Sequence, residues 1–107
     1  MDKIAFLGAG STVFAKNVLG DCMVTPSLQE FEYALFDIDP ARLSDSAIML
    51  ETINRNVNAG RARVVAYNER RRALAGARFV VNAVQVGGYE PSTVIDFEIP
   101  RKYGLRQ

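Results

Sequence analysis

A chain of 107 residues that is 49% hydrophobic and 23% charged, with a formal net charge of +1, has room for one globular domain and is too apolar to be a disordered polymer. No apolar run approaches the roughly 18 residues of a membrane span, and a near-neutral charge creates no field for a nucleic acid, so neither partner is expected. There is no histidine, which excludes a Ser–His or Cys–His pair and a His-built metal site from these residues.

The chain opens with Lys3–Leu7, a continuous apolar run of the kind buried in parallel sheets. Gly8–Ala9–Gly10–Ser11–Thr12 follows, and then Val13, Phe14, Val18, Leu19, Cys22 and Met23 recur at helical spacing. Thr25–Pro26–Ser27 ends that amphipathic helix. Cys22, the single cysteine, reads as a core residue without a base beside it; one cysteine forms no internal disulfide and fits a reducing compartment. No basic leader with an apolar core precedes the first strand, so the expected address is cytoplasmic.

Tyr33–Phe36 reads as a second strand running into Asp37–Ile38–Asp39. Asp39–Pro40 starts a long helix, Asp as cap and Pro at the first position, with Leu43, Ala47, Leu50 and Ile53 or Asn54 on its apolar face. This helix is expected to fray over 56–60. A third strand over Ala62–Tyr67, a short helix over Arg70–Ala75 stopped by Gly76, and a fourth strand over Arg78–Val84 complete the alternation. The Arg70–Arg72 run reads as a solvated helix face. Beyond Gly87–Gly88 and Pro91, residues Ser92–Tyr103 are expected to be helical with a break at Pro100.

Strand–helix alternation of this kind predicts an α/β, Rossmann-like parallel sheet with helices on both faces, incomplete at about four strands in the order 3-2-1-4. A strand turning through Gly8-x-Gly10 into a helix gathers backbone N–H groups and the positive end of a helix dipole at one spot, which suits a phosphate. Gly8 is expected to make the tight turn and Gly10 to let a pyrophosphate reach the backbone. Val13 stands where the third glycine of the usual pattern packs helix on strand, which predicts a helix set slightly further off the sheet. Asp37 lies close to the usual offset of about 20 residues and suits a ribose diol, favouring NAD over NADP. Asn82, ending strand four, either reaches toward a cofactor or bonds its own neighbourhood.

Gly8–Asp21 (GAGSTVFAKNVLGD), Leu35–Leu43 (LFDIDPARL) and Asn82–Gln107 (NAVQVGGYEPSTVIDFEIPRKYGLRQ) together resemble the NAD-dependent glycoside hydrolases of family 4, and within that family the α-galactosidases. The resemblance implies hydrolysis outside the two-carboxylate scheme. The sugar is oxidised at C3 by NAD⁺, loses its C2 proton, eliminates the glycosidic oxygen, adds water at C1 and takes the hydride back. A divalent metal, usually Mn²⁺, polarises the C2–C3 region.

Residue by residue, the resemblance assigns Gly8, Ala9, Gly10, Ser11, Thr12, Val13 and Phe14 to the pyrophosphate turn and Asp37 to the adenosine ribose. It assigns Arg42 to the adenine, and Asn82, Val84 and Gln85 to the loop beside the nicotinamide. Family members acting on 6-phosphorylated sugars carry an arginine after the glycine pair. Here Pro91–Ser92–Thr93 stands there, which implies an unphosphorylated α-galactoside.

Residues 1–107 therefore read as the N-terminal NAD-binding portion of a longer enzyme, with the rest of the sheet, the sugar-binding part and the Mn²⁺ ligands outside it. By itself this portion is expected not to hydrolyse anything. The open edge of strand four makes a homo-oligomer the expected state. From the residues alone, the cofactor half of a lactate/malate-type dehydrogenase and a stand-alone nucleotide-binding module remain alternatives.

Overall fold

The computed structural model describes residues 1–84. In chain order these form β1 (Lys3–Leu7), α1 (Thr12–Met23), a 3-10 turn (Pro26–Leu28), β2 (Glu32–Phe36), α2 (Pro40–Asn58), β3 (Arg63–Ala66), α3 (Arg70–Leu74) and β4 (Phe79–Asn82). Gln85, the Gly87–Gly88 pair, Pro91–Thr93 and the helix expected over Ser92–Tyr103 lie outside the described residues.

The four strands make one parallel sheet in the order β3-β2-β1-β4. Ala5 is in register with Ala34 on one side and Val80 on the other; Phe6 is in register with Leu35 and Val81. Alternation along the strands sorts these residues by face. Ile4, Phe6, Tyr33 and Leu35 meet Ala15, Leu19 and Met23 of α1 and Leu43 and Leu50 of α2. On the opposite face Ala5 and Ala34 meet Ala73 of α3, all three fully buried. Three small side chains let a helix of barely more than one turn lie close to the sheet.

The chain moves outward from β1 to β3 and then jumps back across β1 to β4. With right-handed crossovers, that reversal sends α3 to the face opposite α1 and α2. It also opens a crevice beyond the carboxyl ends of β1 and β4, where ligands of such sheets bind. Lys3 fixes α3 from below, its ammonium donating to the carbonyls of Arg72 (3.0 Å) and Ala75 (2.8 Å) at the helix C-terminus.

Two expectations are corrected. The α2 helix continues to Asn58 because Asn54 and Asn58 are buried and bonded: Asn54 Nδ2 donates to the Ala62 carbonyl at 2.8 Å, and Asn58 Nδ2 to that of Gln29 at 2.8 Å. Ala59, in the left-handed region at φ 54°, closes the helix. Val13 does not wedge α1 off the sheet, because it points outward and is 72% exposed, while the fully buried Ala9 and Ala15 pack inward.

Candidate functional site

At the switch point the chain leaves β1 through Gly8, whose φ of +85° is the left-handed conformation the turn demands. A Cβ on Gly8 would also sit 2.7 Å from the Ala83 carbonyl oxygen, so this glycine admits the segment after β4 as well as making the turn.

The turn is tied to β2 by its own amides. Gly8 N and Ala9 N both donate to the Phe36 carbonyl, at 2.9 and 3.0 Å, and Ser11 N donates to that of Gly8 at 3.1 Å. Gly10 N donates to Asp37 Oδ2 at 2.8 Å, while Asp37 Oδ1 accepts from Asp39 N at 2.8 Å. Both oxygens of Asp37 are thus held by backbone N–H groups, and their remaining lone pairs are aimed by that grip. On the other side of the turn, Ser46 of α2 donates its hydroxyl to the Ala9 carbonyl.

Gly10 differs from the expectation. Its φ is ordinary, and the space a Cβ would take holds Asp37 Cγ and Oδ2, both at 2.7 Å, and Arg42 Cβ at 3.0 Å. This position is glycine so that the Asp37 carboxylate can close onto the turn.

With the amides of Gly8, Ala9, Gly10 and Ser11 engaged within the protein, the donors left for an anion are those of the first turn of α1, at Thr12, Val13 and Phe14. Ser11, the N-cap, makes no side-chain capping bond, and no acidic residue stands in that turn. An uncapped N-terminus of a 12-residue helix carries orphan N–H groups and a positive dipole end.

Beside it lies an open cleft of about 490 Å³, lined by Gly8, Gly10, Ser11, Asp37, Arg42 and Val84 among others. Ala9 lies buried beneath the turn. Thr12 Oγ1 reaches the Gly10 carbonyl at 3.4 Å, and Phe14 leans its ring on Phe6 with centroids 5.9 Å apart. Asp39 is the helix cap, accepting from Ala41 N and Arg42 N at 3.0 and 3.2 Å. Arg42 keeps a loose 3.8 Å pair with Asp39 and is 72% exposed, which leaves its guanidinium available over the cleft.

Asn82 bonds locally. Its Oδ1 accepts from Val84 N at 3.1 Å, shaping the exit from β4, and it does not line the cleft. Cys22 is partly buried against the core, and burial, reinforced by the charge of Asp21, pushes its thiol pKa up, away from nucleophilic use. Two residues of the site escaped the sequence reading. Ile38 lines the cleft while 92% exposed, an isoleucine standing in a polar turn with no core to enter. Ser46 is fully buried on the inward face of α2, between Leu43 and Leu50.

Residues 3–107 match the model of the family 4 glycosyl hydrolases. The chain belongs to that family. It is 60% identical over 107 residues to an α-galactosidase of Bacillus subtilis (strain 168), spanning all of this chain and 24% of that protein. An α-galactosidase of Rhizobium meliloti (strain 1021) is 40% identical, over 98% of this chain and 21% of its own length. An α-glucosidase of Erwinia rhapontici is 34% identical, over 98% of this chain and 23% of its own length.

The structure of a 6-phospho-β-glucosidase from Thermotoga maritima, solved with NAD and glucose-6-phosphate, superposes with a TM-score of 0.65 at 26% identity. That match covers 98% of this chain and 24% of the solved one. The family 4 chain thus spans about a quarter of the length of these relatives. Relatives named for three different glycosides share this Rossmann-like segment.

Proposed function

We propose that this chain is the NAD-binding portion of an α-galactosidase, and that the parent enzyme hydrolyses α-galactosides by oxidation, elimination and addition. The observation that carries the cofactor reading is the Asp37 carboxylate held against the glycine turn beside the uncapped start of α1. The first-turn N–H groups of α1 would take the pyrophosphate, with Gly8–Ser11 shaping its seat. Asp37 would accept the ribose hydroxyls, Ile38 and Arg42 would flank the adenine, and Val84 would lie toward the nicotinamide, its backbone held by Asn82. When bound, NAD supplies reversible hydride acceptance at a sugar carbon.

The same carboxylate disfavours NADP, since a 2′-phosphate would meet its negative charge and, among the described residues, the loosely paired Arg42 is the one cation lining the cleft. The choice of an α-galactoside rests on the 60% identity with the Bacillus subtilis protein. Among the described residues no three His, Cys, Asp or Glu side chains come together to hold a metal ion. The Mn²⁺ that the sequence resemblance implies is assigned to residues elsewhere in the parent enzyme, as is catalysis itself. A cytoplasmic address and a homo-oligomeric state belong to the same reading.

Calorimetric titration of the full-length protein with NAD⁺ and NADP⁺ tests the cofactor assignment. A charged hydrogen bond is worth about 1.5–3 kcal/mol, so Asp37→Ala should weaken NAD⁺ about 10–100-fold and erase the preference over NADP⁺. Equal affinity of the wild type for both nucleotides would refute it. Hydrolysis of p-nitrophenyl α-galactoside that depends on added NAD⁺ and Mn²⁺ tests the rest.

A further inference from the structure

We propose that Ser46 is a positioning residue of the nucleotide site: it clamps the Ala9–Gly10 peptide and thereby keeps Asp37 turned toward the ribose. This rests on the NAD reading above and extends it to a buried residue on the far side of the turn.

The planar trans peptide points its C=O and its N–H in opposite directions. In the peptide joining Ala9 to Gly10, the carbonyl end is held by the Ser46 hydroxyl and the amide end by Asp37 Oδ2. One peptide unit is gripped from both sides, by α2 on one and by the end of β2 on the other. Arg42 and Ser46 stand one turn apart on α2, on the face that packs against the turn: Arg42 Cβ abuts Gly10 and Ser46 reaches Ala9.

The unit needs such a grip because Gly10 has no Cβ, so a flip of the peptide meets little steric resistance on that side. A flipped peptide would aim the Ala9 carbonyl oxygen at the Asp37 carboxylate. The two would repel, and the carboxylate would swing away from the place where it meets a ribose. Ser46 is fully buried, so water does not compete for its hydrogen bond. Serine is a poorer helix former than alanine, and its use at a fully buried position of α2 is explained by this one bond.

The test measures NAD⁺ affinity of the full-length protein in Ser46→Ala, which removes the donor at nearly constant volume, in Ser46→Cys, whose larger thiol fills the site but donates weakly, and in each combined with Asp37→Asn. Both single substitutions should weaken NAD⁺ about 3–10-fold. Combined with Asp37→Asn they should add less than about 2-fold, because the two residues act through one peptide. Hydrogen exchange over residues 8–11 should accelerate in Ser46→Ala, while exchange over β2 stays as in the wild type.

An affinity within 2-fold of the wild type in both variants overturns the proposal. So does a loss of equal size with and without Asp37→Asn, which is the signature of packing alone. If the wild type binds no NAD⁺, the cofactor reading falls and the nucleotide role of Ser46 falls with it. The clamp is then decided by exchange, and an unchanged rate over residues 8–11 in Ser46→Ala overturns that too.

Discussion

Replacing Gly10 by alanine separates two explanations for a glycine in this turn. If the position is glycine to admit a phosphate, Gly10→Ala should damage ligand binding and leave stability nearly untouched. If it is glycine to admit Asp37, the added Cβ, at 2.7 Å from Asp37 Cγ and Oδ2, must expel the carboxylate. The Gly10 N–H···Oδ2 bond of 2.8 Å is then lost, at about 1.5–3 kcal/mol for a hydrogen bond to a charged group.

The backbone at Gly10 is not left-handed, so alanine carries no φ penalty and recovers about 0.4–1 kcal/mol from the unfolded chain. The net expectation is a loss of about 0.5–2.6 kcal/mol. In an Asp37→Ala background the obstructing atoms are gone and only the 3.0 Å approach to Arg42 Cβ remains, so the same change should cost close to nothing. Urea unfolding of the wild type, both single variants and the double variant closes this cycle. A cost for Gly10→Ala that agrees within about 0.5 kcal/mol in the two backgrounds would refute the reasoning.

Three further outcomes are expected. Asn54→Ala strands the N–H and C=O of Ala62, both now bonded to the Asn54 amide at 3.1 and 2.8 Å, and should lower unfolding free energy by about 2–4 kcal/mol; a loss under 1 kcal/mol in urea would contradict this. Ala59→Gly relieves a left-handed alanine at φ 54° and should raise the urea midpoint by the equivalent of about 1 kcal/mol.

Tyr33, fully buried and donating to the Leu28 carbonyl at 2.8 Å, has its pKa raised above the ordinary 10.0, first by burial and then by the neighbouring Cys22. Above pH 10 the unfolded chain loses this proton while the folded chain keeps it. Stability is therefore full below pH 10 and falls above it by about 1.4 kcal/mol per pH unit. A Tyr33→Phe variant whose unfolding free energy falls as steeply with alkaline pH would show that another group is responsible.

The element order was legible because it rests on local patterns. Apolar runs, the Asp39–Pro40 start and the glycines at 8, 60 and 76 punctuate the chain wherever it folds, and the right-handed crossover rule turns that punctuation into a strand order. The end of α2 is not legible because Asn56, Asn58 and Gly60 look like a loop. Asn58 is buried and bonded to the Gln29 backbone, a partner 29 residues away in sequence.

For the site, the glycine pair and Asp37 are visible as a spaced pattern, and the family resemblance carries the remaining assignments, Arg42 among them. Ile38 and Ser46 were not visible. An isoleucine looks like core and a serine on a helix looks like surface until the fold shows which way each one faces.

Local pattern alone thus marks the order of strands, turns and helices over residues 3–82, that the sheet is parallel, and that a glycine turn precedes an acid at the end of the second strand. Periodicity and turn chemistry act over a few residues and need no partner. Only the tertiary structure decided why Gly10 is glycine, that Val13 faces outward, and that one peptide of the turn is held by Ser46 and Asp37. Those facts depend on where β2 and α2 bring side chains against the turn, across 27 and 37 residues of sequence, and no local pattern encodes such a meeting.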